Sequence, residues 1–92
     1  VSDPWLLIEV LDGEVPASEW RRAHGEAFLN AAIAERAVRW SWRVHRRGVV
    51  FEIAFRTERI RDEFRSRSSI KEALAAVPDP HYGLTIVPGG GD

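Results

Sequence analysis

The sequence predicts an α+β sandwich in the order βαββαβ, with a four-stranded antiparallel sheet carrying two helices on one face. Three observations predict it. Val38, Trp40, Trp42 and Val44, and then Val49, Phe51, Ile53 and Phe55, recur at every second position on either side of Arg46-Arg47-Gly48, the pattern of a hairpin with one dry face. A segment of helical spacing flanks this hairpin on each side. A short apolar run of strand length stands near each end of the chain.

Taken in order, residues 5–11 form an apolar run too short for a helix and bounded by Asp3-Pro4 and Asp12-Gly13, which reads as a mostly buried strand. Beyond Pro16, Ser18 has the chemistry of a helix cap and Glu19 complements the positive helix end, so a helix is expected over 18–36. Trp20, Ala23, Ala27, Ala31 and Ala34 form its apolar stripe, widened by Phe28, Leu29, Ala32 and Ile33. The hairpin follows, with Trp40, Trp42 and Val44 expected under the helices beside Phe51, Ile53 and Phe55, and with Gly48 expected to supply a positive φ in the turn. Thr57 is the expected cap of a charged helix over 58–65. Ser69 and Glu72 have capping-box spacing, which predicts a break near Arg67 and a second helical start. Pro78-Asp79-Pro80 ends that helix, and residues 82–87 supply the last strand. The split βαβ arrangement of these elements is that of a ferredoxin-like sandwich with strand order 4-1-3-2.

Ninety-two residues fit a single domain over 1–92, with 1–4 and the glycine-rich 88–92 expected as flexible ends. A composition of 45% hydrophobic and 29% charged residues is that of a globular protein, whose folding needs no ligand. The chain has no cysteine, which excludes disulfides and thiolate catalysis and fits a cytoplasmic location. It begins without Met, as a processed product or a fragment does. A net charge of −1 gives no long-range pull toward nucleic acid or membrane, and no apolar run has spanning length.

With both helices on one face, the other face of the sheet is the candidate functional surface. It is expected to carry Arg39, Ser41, Arg43 and His45 beside Val50, Glu52, Ala54 and Arg56. On the first strand Glu9 favours Trp5, Leu7, Glu9 and Leu11 facing outward, because a buried unpaired carboxylate is costly. Trp5, Leu7, Leu11, Val50 and Ala54 then form an apolar patch with a charged rim, the composition of an interface. Two such sheets related by a two-fold axis would bury the patch and pair Arg43 or Arg39 with Glu52 or Glu9 across the interface, so a homodimer or another protein is the expected partner.

Arg39, Arg43, His45 and Arg47, with Arg46, form a basic cluster whose guanidinium groups match a phosphate or carboxylate. His24, His45 and His81 lie on different elements without ligand spacing, so no metal site is expected. No phosphate loop or nucleophile elbow is present, so no catalytic residue and no cofactor is assigned.

The string from Arg47 to Phe55 resembles the RNP1 motif of the RNA recognition motif family, which implies base stacking on the open face. Phe51 shares its side with Ile53 and Phe55 while Glu52 takes the other, so RNA binding is not the expectation. Gly89-Gly90-Gly91 is similar to the diglycine end of ubiquitin-like sulfur carriers, but Asp92 follows it and the element order differs. The element order and length resemble the dimeric α+β-barrel group, which includes antibiotic-biosynthesis monooxygenase-like proteins. That resemblance implies a pocket between helices and sheet, with Trp40, Trp42, His24 and His81 as lining residues. The ending from Ala76 to Gly91 is similar to that of small uncharacterised bacterial proteins rich in Ala and Arg, and implies no activity.

Overall fold

The structure, a computed structural model, describes residues 3–90. Its elements run β1 (Trp5–Leu11), α1 (Ala17–Ala34), β2 (Arg39–His45), β3 (Gly48–Ala54), α2 (Glu58–Ser66), α3 (Ser68–Ala75) and β4 (Leu84–Gly89). The sheet order is β2-β3-β1-β4 with every neighbouring pair antiparallel, which is the expected 4-1-3-2 read from the other edge. This is the ferredoxin-like architecture.

Register follows from burial. Leu6, Ile8 and Val10 on β1 stand opposite Ile53, Phe51 and Val49 on β3, and all six are buried under the helices. Phe28 on α1 is the hub of that core. Its ring meets Phe51 edge-on at 5.1 Å and lies 5.5 Å from both Trp42 and Trp20, a geometry that places ring edges against π faces. Phe64, Ile70 and Ala73 bring α2 and α3 onto the same cluster.

The helix ends depart from the expected caps. Pro16, not Ser18, occupies the N-cap of α1, and Asp12 Oδ1 accepts from the Ala17 N–H at 2.7 Å, so a turn residue five positions upstream satisfies an end donor. At the other end, Arg36 takes φ 55 while the Ala37 N–H reaches the Ala32 carbonyl and the Arg36 N–H reaches that of Ile33. This is a Schellman closure with arginine in the place usually held by glycine. Thr57 does cap α2, its Oγ1 accepting from the Ile60 N–H at 3.1 Å. The expected break falls at Arg67, whose extended ψ of 139 separates α2 from α3, but Ser69 lies inside α3 and caps nothing. Arg67 is held there by Glu35 at the end of α1, with Nη1 2.5 Å from Oε2.

Two further expectations are corrected. Gly48 does not adopt a positive φ; it is a buried strand residue, and a Cβ on it would collide with the Val10 carbonyl and lie 2.8 Å from the Leu11 Cα. Close approach of β3 to β1 is what demands glycine there. β4 runs two residues past Val87, so Pro88 and Gly89 belong to the sheet rather than to a flexible end, and Pro4 is buried with its carbonyl accepting from the Phe55 N–H. Of the ends expected to be flexible, residues 1–2 and 91–92 lie outside the described residues.

Candidate functional site: the open face of the sheet

The pleat places Trp5, Leu7, Glu9 and Leu11 of β1 on the face away from the helices, as Glu9 required, beside Val50, Glu52 and Ala54 of β3 and Arg39, Ser41, Arg43 and His45 of β2. Thr85, Val87 and Gly89 of β4 complete it. The face is divided lengthwise. Leu7 stands directly opposite Val87 and Trp5 opposite Gly89, so that end of the β1–β4 half is apolar, with Glu9 and Thr85 beyond it, while the β2–β3 half carries the other charges.

The charged half is already paired within the chain. Arg43 forms an ion pair with Glu52, and Arg39 lies 3.8 Å from Asp3. His45 Nε2 sits 3.2 Å from Glu9 Oε2, a contact that reaches from β2 to β1 across the intervening β3 at Gly48, where no side chain blocks the way. Two of these contacts use Glu52 and Glu9, the carboxylates expected to serve a second copy, which thus have partners within the single chain. They also scatter the expected anion site. Arg39 and His45 are six residues apart on one strand, about 20 Å. Arg47 joins Arg46 at the hairpin turn, beside a separate hollow lined by Leu11, Asp12, Asp79 and Tyr82.

The apolar half is also altered from the expected patch. Val50 and Ala54 point to the open face but are 7% and 2% exposed, so neighbouring side chains already cover them. Trp5, 37% exposed, lays its ring over Gly89 and Gly90, where an added Cβ would strike it. The accessible apolar surface is therefore Trp5, Leu7, Leu11 and Val87. Val87 is the member that sequence reading missed; the alternation Thr85, Val87 was its available signal. Beside Trp5 the small side chains of Ala54 and Ser41 leave a hollow of about 290 Å³, bordered by Leu7, Arg39 and Glu52.

The residues implied to line a pocket between helices and sheet do not meet. Trp42 is packed into the aromatic cluster with Arg21 over its ring at 4.8 Å, Trp40 borders the open-face hollow, His24 lies beside Trp20, and His81 is exposed on the turn before β4. Trp40 and Val44 do take the helix side of β2, yet both are exposed, because α1 meets the outer strand at Trp42 and does not cover these two positions. Phe51 and Phe55 are buried, which removes the stacking surface that the RNP1 resemblance implies. Among the described residues no three His, Asp or Glu side chains gather as a metal site, and no helix is long and apolar enough to cross a membrane.

No family model matches the chain, and no curated protein matches it. Solved structures share its architecture. A dimeric ferredoxin-like protein of unknown function from Jannaschia sp. CCS1 superposes with a TM-score of 0.74 at 13% identity, covering 97% of this chain and 99% of that one. A protein from Mycobacterium tuberculosis gives 0.64 at 14% identity over 97% of this chain and 94% of its own. A hypothetical protein from Arabidopsis thaliana gives 0.68 at 10% identity, covering 100% and 90%. At these identities the likeness is one of fold, and the ferredoxin-like sandwich is what the chain has in common with them.

Proposed function

We propose that this chain is a non-catalytic interaction module that pairs with a second copy of itself through the open face of its sheet. The observation that carries the reading is the lengthwise division of that face. An apolar strip of Trp5, Leu7 and Val87 lies beside a half in which Arg43 pairs with Glu52, Arg39 lies near Asp3 and His45 contacts Glu9, so covering the strip leaves those side chains with partners inside the chain. Two such strips meeting about a two-fold axis would cover each other, an isologous contact of one surface with itself. The dimeric state of the Jannaschia protein, which has the same architecture, supports the reading. The hollow beside Trp5 lies on the same face, and pairing would enclose it as a site for a small ligand whose polar group faces Arg39 and Ser41.

Light scattering across a wide concentration range tests the proposal. A dimer that Leu7→Glu converts to a folded monomer supports it; a wild-type chain that stays monomeric at high concentration defeats it.

A further inference from the structure

The outer edge of β2 has a different character from the open face. β2 closes the sheet, and every residue on it except Trp42 is exposed. Its outward backbone N–H and C=O groups have no strand partner among the described residues. The opposite edge, β4, contains Pro88, which has no N–H to offer, whereas β2 has no proline.

The side chains flanking this edge are of two kinds. On the helix side Trp40 and Val44 are exposed, the latter at 69%. Leu29 and Ile33 are exposed on α1. They continue at four-residue intervals from Arg21, which reaches Trp42, so this row of α1 borders β2. On the other side Arg39 and Arg43 keep 71% and 62% of their side chains exposed despite their ion pairs. Arg46 and Arg47 follow at the turn, and no Asp or Glu occurs between Arg39 and Gly48.

We infer that the β2 edge receives an extended acidic segment of another protein, one that alternates carboxylate with apolar side chains and adds a fifth strand to the sheet. Unpaired strand groups are matched in full only by another strand, and alternate side chains of an added strand fall on opposite faces. One set would then lie on the strip of Trp40, Val44 and Leu29, and the other would place carboxylates by Arg39 and Arg43. A second copy of this chain does not fit the edge. Antiparallel pairing of β2 with itself gathers Arg39 and Arg43 of both copies on one face, four guanidinium groups with no carboxylate on either strand. The acidic strand occupies the outer edge of β2 and self-pairing the strip of Trp5, Leu7 and Val87, and the two sites adjoin at Arg39 and Arg43.

The test is fluorescence anisotropy with a labelled synthetic peptide that alternates valine and glutamate over the length of β2. The peptide is expected to bind saturably, to bind about tenfold more weakly to Val44→Glu, and to lose binding when lysine replaces glutamate. Two further peptides carry N-methyl groups on one or the other set of alternate amides. Only the set facing β2 should abolish binding, because an added strand pairs through one edge. Val44 is exposed, so its replacement leaves the core intact. Absence of binding at millimolar peptide, equal binding of the lysine peptide, or indifference to both methylation patterns would each overturn the inference. The oligomeric state, read separately by light scattering, distinguishes this result from the fate of the open-face proposal.

Discussion

The indole Nε1 of Trp20 donates to the carbonyl oxygen of Ala73 across 2.8 Å, joining the first turn of α1 to α3 over 53 positions of sequence. The indole is 3% exposed, and its ring also meets Phe28 and Trp42, so one side chain fixes both the depth of α1 on the sheet and the approach of α3. Trp20→Phe keeps most of the apolar contact and removes the donor, with an expected loss of about 1–3 kcal/mol. Trp20→Ala adds a cavity and should cost about 3–5 kcal/mol. Urea unfolding followed by circular dichroism measures both, and a Phe variant as stable as the parent would show that the hydrogen bond contributes nothing.

Arg36 closes α1 from the left-handed region at φ 55, where a Cβ crowds the following carbonyl. Arg36→Gly should therefore raise stability by about 1 kcal/mol, while Arg36→Val should lower it. Thermal unfolding of the two variants reads the sign directly.

Thr57 and Ser69 both have the chemistry of a helix cap, but only Thr57 stands at an N-cap, where its oxygen accepts from an end N–H, whereas Ser69 lies inside α3. Thr57→Ala is expected to cost about 1 kcal/mol. Ser69→Ala should change stability by no more than about 0.5 kcal/mol, since Ser69 caps nothing. Equal losses in denaturant titrations would contradict the observed capping.

Gly48 permits the close approach of β3 to β1 without using a positive φ. Gly48→Ala must push the strands apart or shift their register, with an expected loss of about 2 kcal/mol or more. Amide exchange should locate the effect in β1 and β3 next to the β2–β3 turn; protection unchanged from the parent there would refute the steric reading.

Leu7 and Val50 share a face but differ in burial, 7% of Val50 being exposed while Leu7 is more open. Leu7→Glu is expected to lower the solution mass and leave the circular dichroism spectrum unchanged. Val50→Asp, which buries an unpaired carboxylate, should instead destabilise the fold by about 3 kcal/mol or more. Paired light-scattering and unfolding measurements separate the two effects.

The fold was legible because each element carries a local signal. The two-residue period of β2 and β3, the short apolar run of β1, the threonine before α2 and the break at Arg67 all act over a few neighbouring positions. Glu9 assigned the outward face of β1, because a carboxylate without a partner cannot be buried cheaply. By contrast, Trp40 and Val44 take the expected side of β2 but stay exposed, since alternation identifies which residues share a face but not whether a helix extends far enough to cover them.

The sequence by itself thus determined the order and type of the elements, the sheet topology and the side on which each strand residue points, all of which follow from backbone periodicity and the cost of burying charge. Only the tertiary structure decided which of those faces are covered and by what. It set Glu9 against His45 across β3, laid Trp5 on Gly89, turned Gly48 toward the Val10 carbonyl and left the β2 edge open. Such contacts join residues distant in the chain, and their geometry depends on how far helices reach and how closely strands approach, distances that local periodicity does not encode.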